Sequence, residues 1–350
     1  MNNLNILELG LNKAVVDLGQ YSTFIYGIPK IGKTTFVRDL YGERVLFLAT
    51  ENRHKTITGT YVMNITSWLD FQTVLAQLGN PAVKEKFDVI CIDTVDNLAG
   101  FLETFIKSKY NESELGNAQW GKDWSDLKDS WKTSLKIIEA LGYACCFISH
   151  GSQKTFKLPI SDLLPGQINK EIMTEKKVKD KVTGQEEIYM EFDKYIPDLN
   201  DRYLAPINKM VDNILFLNQE IDSTGKPVRV IHTRDTVQWQ AGSTFAKIKS
   251  TIPLSAQDYK DAVNEALNEF SPEESTTEVK ELIREERPFD VVMSEAKELG
   301  TQLAKANKKE ILTKIVNDIF GTGNLLTDAN ETQVQQLELA IVKFKEELNK

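Results

Sequence analysis

"YGIPKIGKTT", Tyr26 to Thr35, is the stretch that decides the fold. Gly27, Gly32, Lys33 and Thr34 meet the pattern G-x-x-x-x-G-K-[ST], a loop whose backbone N–H groups approach phosphates closely and whose following helix adds the positive end of its dipole. The pattern carries that meaning only between a strand and a helix. Ser22–Tyr26 is β-rich and Lys33–Leu40 has helical character, so the context is met. Gly27, Ile28, Pro29, Lys30, Ile31, Gly32, Lys33, Thr34 and Thr35 are therefore expected to wrap ATP. Lys33 would reach the β- and γ-phosphates, and the Thr34 hydroxyl would bind Mg²⁺.

Three more strand ends point the same way. In "FDVICIDTVDNL" the apolar run Val89 to Ile92 ends in Asp93, which puts a carboxylate at the tip of a buried strand, where it can orient the Mg²⁺ shell. Asp96 reads as a cap of the helix that follows. "RVLFLATENRH" ends its strand in Thr50-Glu51, offering a carboxylate to polarise an attacking water. "YACCFISHG" ends in Ser149-His150, a polar tip suited to sensing a γ-phosphate. Open α/β sheets bind ligands at the carboxyl ends of their strands, so four such tips in one chain form a coherent set.

The first 150 residues alternate apolar β-rich runs with amphipathic helical stretches, the pattern of a parallel sheet covered by helices. Strands are expected at Ser22–Tyr26, Val45–Ala49, Tyr61–Ile65, Val89–Ile92 and Ala144–Ser149. Helices are expected at Lys33–Leu40, Trp68–Leu78, Leu98–Lys109 and Trp124–Leu141. After His150 the alternation stops. A hairpin insertion is expected over about 171–195, turning at Val182-Thr-Gly-Gln185. A helix near Arg202–Met210, strands at Asn213–Asn218 and Val228–Thr233 and a helix at Ala256–Phe270 would extend the sheet in antiparallel fashion and close a domain of residues 1–270. Residues 271–288, "SPEESTTEVKELIREERP", read as an acidic linker or an exposed helix. Residues 289–350 read as a small helical module with helices at Phe289–Lys305, Lys309–Phe320 and Glu331–Leu348.

Composition narrows the function classes. The chain has 350 residues, a net charge of −9 and ordinary globular proportions of hydrophobic (41%) and charged (27%) residues, which argues against a broad nucleic-acid-binding surface but leaves room for a local basic groove. No apolar run approaches the length of a membrane helix, and the start lacks a signal-peptide pattern, so a cytoplasmic protein is expected. Cys91, Cys145 and Cys146 lie in apolar runs and read as buried reduced thiols. The three histidines and three cysteines show no zinc-ligand spacing.

Over roughly residues 20–250, the blocks "GIPKIGKTT", "LFLATEN", "VICIDTVDNL" and "WGKDWSDLKDSWKTSLKIIEALGYACCFISH" resemble the RecA-like branch of P-loop ATPases. Within that branch they resemble phage-encoded ATP-binding proteins of single-strand annealing and recombination. The resemblance implies a RecA-like α/β core, a Mg²⁺-dependent ATPase stimulated by DNA, and assembly into a ring or filament. It carries the catalytic base over to Glu51 and the metal-orienting acid to Asp93. The coupling of γ-phosphate to DNA falls to His150, where RecA has glutamine. Such families place mobile DNA-contacting loops after this strand. Here that segment holds Lys154, Phe156, Lys157, Lys170, Lys176, Lys177, Lys179 and Lys181, which suit a single-stranded backbone and a stacked base. Interleaved carboxylates fit a solvated hairpin face equally well. Arg202, Arg229, Arg234, Lys247 and Lys249 are candidates to complete a neighbouring subunit's site.

Two other functions stay open at this level. A small-molecule kinase needs a lid of arginines over the transferred phosphate, and the first 150 residues hold only Arg38, Arg44 and Arg53. An ATP-switched loader or scaffold would use the helical module to recruit a replication or recombination protein.

Overall fold

The computed structural model describes residues 15–51, 57–163, 170–179, 186–268, 287–321, 323 and 325–348. They fall into two compact units, 15–268 and 287–348.

The first unit is built on strands β1 (Thr23–Gly27), β2 (Val45–Ala49), β3 (Tyr61–Asn64), β4 (Val89–Asp93), β5 (Ala144–Pro159), β6 (Thr174–Lys179), β7 (Glu186–Pro197), β8 (Asn213–Ile221), β9 (Pro227–His232), β10 (Gly242–Ser243) and β11 (Thr251–Pro253). Its helices are α1 (Lys33–Tyr41), α2 (Trp68–Leu78), α3 (Pro81–Lys86), α4 (Val95–Tyr110), α5 (Lys122–Ala140), α6 (Asp201–Asn208) and α7 (Ala256–Asn268). The main sheet runs β11-β9-β8-β1-β5-β4-β2-β3. From β8 to β3 neighbouring strands pair in parallel, while β9, β10 and β11 add antiparallel pairs at the other edge. This is the expected α/β class, a mainly parallel sheet with an antiparallel extension and a helical C-terminal region.

Strand alternation divides the core into two layers. Phe24, Tyr26, Ile90, Ile92, Cys145 and Phe147 face one layer, closed by α2, α4, α5 and α6 through residues such as Trp68, Leu98, Trp131 and Tyr203. Ile25, Val89, Cys91, Cys146 and Ile148 face the other, closed by Phe36 and Val37 of α1 and Tyr259 and Val263 of α7. Trp131 is 1% exposed, and its indole N–H donates to the Tyr203 carbonyl at 3.1 Å, so its one polar atom is satisfied inside the core. The three cysteines are buried free thiols.

The structure departs from expectation after His150. The strand expected to stop at Ser149 continues without a break to Pro159, and it pairs antiparallel with β7 from Gly151 opposite Pro197 to Pro159 opposite Tyr189. β6 pairs with the outer half of β7. A three-stranded arm therefore grows out of the core on the same strand that crosses it. The expected turn at Val182–Gln185 and most of the acidic segment 271–288 lie outside the described residues. The helix expected from Glu331 opens as a 3₁₀ turn, Glu331–Gln333, and becomes α-helical at Val334.

The second unit packs α8 (Phe289–Lys305), α9 (Lys309–Phe320) and α10 (Val334–Leu348) around Val292, Ala296, Leu303, Val316, Leu337 and Phe344. Glu295 of α8 is held by Lys345 of α10 at 2.6 Å and by Arg287, and these cations keep its carboxyl below the usual range.

Candidate functional site

The sheet order brings the tips of β1, β5, β4 and β2 side by side. Gly27 lies beside His150, and Asp93 sits between Ile148 and Ala49. A cleft of about 310 Å³ opens over these tips, lined by Lys30, Lys33, Thr34, Glu51, Asp93 and His150 among others.

The phosphate loop has the conformation its glycines permit. Gly32 takes φ +113° just ahead of α1, a backbone that side chains rarely adopt. A methyl group on Gly27 would stand 2.2 Å from the Leu217 carbonyl oxygen of β8, so no other residue fits there without moving the strand. Lys33 is 8% exposed, and its ammonium donates to the carbonyls of Gly27 at 2.9 Å and Ile28 at 3.2 Å. Lys30 is exposed at the loop's tip with φ +63°, whereas the Ile31 side chain is buried beneath α1. Thr34 Oγ1 donates to Asp93 Oδ2 at 2.7 Å, across 59 residues of sequence. A hydroxyl and a carboxylate side by side are hard oxygen donors of the kind Mg²⁺ takes, so this pair fits that ion.

On the other side of the cleft lies an acid–imidazole–acid array. His150 Nδ1 is 3.0 Å from Asp96 Oδ2, and Nε2 is 3.7 Å from Glu51 Oε1. The Asp96 contact raises the His150 pKa above the ordinary range, against burial and the nearby Lys33 charge, which lower it. Asn97 donates to Glu51 Oε1 at 3.3 Å. Thr50 Oγ1 accepts from the Thr94 N–H and donates to the Thr94 carbonyl, both at 2.8 Å, which ties the end of β2 to the end of β4. Asp96 was expected to cap α4. Instead Thr94 holds the cap position without a side-chain bond, and Asp96 accepts from the Ser149 hydroxyl at 2.5 Å and the His150 N–H at 2.9 Å.

The arm sorts the expected nucleic-acid contacts onto two faces. By register, Lys154, Phe156, Lys177 and Lys179 share a face with Met190, Phe192 and Lys194, while Lys157 and Lys176 share the other with Glu191 and Asp193. Glu191 accepts Lys157 at 3.2 Å and lies 3.9 Å from Lys176. Among the described residues Lys154, Lys177 and Lys179 are exposed and make no ion pair. Phe156 is 36% exposed and stacks on Phe192, with centroids 6.0 Å apart.

Of the cations weighed for a neighbour's site, Arg202 stacks on Trp124, and Arg234 donates to the carbonyls of Ser243, Phe245 and Ala246. Lys249 pairs with Glu265. Arg229 reaches this chain's own phosphate loop, 3.3 Å from the Ile31 carbonyl. Among the described residues no cluster of three or more metal-ligating His, Cys, Asp or Glu occurs, and no helix is long and apolar enough to cross a membrane.

Residues 20–185 match the family described as an AAA domain. Over 336 residues the chain is 25% identical to the SPbeta prophage-derived uncharacterized protein YorG of Bacillus subtilis strain 168, covering 92% of each chain. Among solved structures, the KaiC-like protein PH0186 from Pyrococcus horikoshii OT3 aligns with 67% of this chain and 85% of its own, at 9% identity and a TM-score of 0.33. The segment that matches the AAA domain contains the phosphate loop, Glu51, Asp93, His150 and the first strand of the arm.

Proposed function

We propose that this chain is an ATPase of phage DNA recombination or replication, in which the nucleotide state governs binding of single-stranded DNA by the arm. One observation carries the reading. β5 is a single strand with His150 in the cleft and Lys154 and Phe156 four and six residues farther along. A change at the cleft that shifts His150 is thereby transmitted along paired backbone to the arm.

In this reading the loop's N–H groups and Lys33 hold the triphosphate, the lysine leaving its carbonyl partners for the β- and γ-phosphates. Thr34 and Asp93 would hold Mg²⁺, which when bound neutralises phosphate charge. Glu51 takes the proton from the attacking water, and His150 senses the γ-phosphate. DNA lies on the face bearing Lys154, Phe156, Lys177 and Lys179, lysines that make no ion pair among the described residues, whereas Lys157 and Lys176 of the other face share the Glu191 carboxylate. A neighbouring copy in a ring or filament completes the site, in the host cytoplasm. The prophage origin of the full-length relative supports the phage setting. Against the kinase reading, Arg38 pairs with Asp39 and Arg44 with Asp88 and neither lines the cleft, while Arg53 lies outside the described residues.

The test is binding of fluorescent oligo-dT in the presence of ADP or a non-hydrolysable ATP analogue. Affinity should differ between the two by at least about fivefold, the lower end of usual coupling. Equal affinities, or no binding in either, contradict the reading.

A further inference from the structure

Asp96 has no part in the phosphate-loop pattern, yet three groups of one strand tip converge on it. Its side chain is 14% exposed and stands in the first turn of α4, the helix that starts just after Asp93. Oδ1 accepts from the Ser149 hydroxyl, and Oδ2 meets both the N–H and Nδ1 of His150. A carboxylate 3.0 Å from Nδ1 requires the proton on that nitrogen. Nε2 is then the atom turned toward Glu51. The charged groups acting on the ring come from three directions: Asp96 on α4, Glu51 beyond β2 and Lys33 on α1.

We propose that Asp96 is a positioning residue, which holds the Nδ1 proton of His150, fixes the ring with Nε2 turned into the cleft toward Glu51, and ties α4 to the strand that enters the arm. The inference rests on the reading of the cleft as an ATP site. Orienting carboxylates of this kind act by selecting a tautomer and a ring orientation, and their loss slows the reaction more than it weakens binding.

The experiment is ¹⁵N NMR of the imidazoles of the full-length chain, with ATPase kinetics and binding of a fluorescent ATP analogue, for wild type, Asp96→Asn and Asp96→Glu. His150→Gln assigns the His150 signal among three histidines. Wild type above the imidazole titration should show the Nδ1–H tautomer. Asp96→Asn should shift the population toward Nε2–H and lower kcat about tenfold or more, with KM within about threefold. Asp96→Glu should recover part of both. An unchanged tautomer or an unchanged kcat in Asp96→Asn overturns the proposal. So does a parallel fall in kcat, analogue binding and melting temperature, which marks a structural role. A wild type that binds no analogue contradicts the ATP-site reading instead, and the tautomer then still decides whether Asp96 holds the ring.

Discussion

The cleft and the arm lie on one strand, β5, and handle charge in opposite ways. In the cleft, Lys33 and Asp93 are buried, Asp96 and His150 half-buried, and each is committed to a polar partner: Thr34 with Asp93, Asp96 with His150, Lys33 with loop carbonyls. In the arm most lysines are exposed: Lys157 and Lys176 lie by Glu191 and Lys194 by Asp235, whereas Lys154, Lys177 and Lys179 make no ion pair among the described residues. Buried polar groups are costly unless paired, so the cleft is preorganised, and a bound nucleotide must exchange partners rather than recruit loose ones. The arm's free face pays no such penalty in water and gains when a polyanion releases its counterions.

Substitutions can break this contrast. The largest expected effect is on the cleft: Lys33→Ala should lower ATP hydrolysis by at least about a hundredfold and abolish binding of a fluorescent ATP analogue. Glu51→Gln should lower kcat to a similar degree yet leave analogue binding within about threefold. If turnover is unchanged in that variant, the base lies elsewhere. On the arm, Phe156→Ala should cost about 1–3 kcal/mol of single-stranded DNA affinity, the worth of one stacked base. Lys177→Ala and Lys179→Ala should each lower the slope of log affinity against log salt by about one unit, whereas Lys157→Ala and Lys176→Ala should change it less. Equal slopes for the two pairs would erase the distinction between faces.

The smallest effect is on pH dependence. The Asp96 contact raises the folded-state pKa of His150, so its contribution is fully present below the ordinary histidine value of about 6.5 and is lost as pH rises through the raised value. The gap in melting temperature between wild type and Asp96→Asn should therefore be widest near pH 6 and narrow toward pH 9. A gap that is constant with pH would mean that His150 gains nothing from Asp96 when charged.

The same contrast explains what was legible in the sequence. The strand tips could be read because buried parallel strands are unbroken apolar runs, so the polar residue ending each run marks the sheet's edge. Glu51, Asp93 and His150 emerged that way. Asp96 did not, because its partners lie 53 and 54 residues away and its place after Thr94 imitates a helix cap. The arm half of β5, "GSQKTFKLP", holds lysines and a proline and lacks an apolar run. Its strand character comes from pairing with β7, a tertiary effect that local pattern does not carry. The short helix α3 did have a signal: Asn80 caps Ala82 and Pro81 takes the first helical position.

The most direct measurement is steady-state ATP hydrolysis at low salt with and without single-stranded DNA, for wild type, Phe156→Ala and Lys33→Ala. The account predicts that DNA stimulates wild type, that Phe156→Ala keeps basal turnover but needs more DNA for the same stimulation, and that Lys33→Ala shows no turnover. Hydrolysis abolished by Lys33→Ala but indifferent to DNA in wild type would contradict the coupling of cleft to arm.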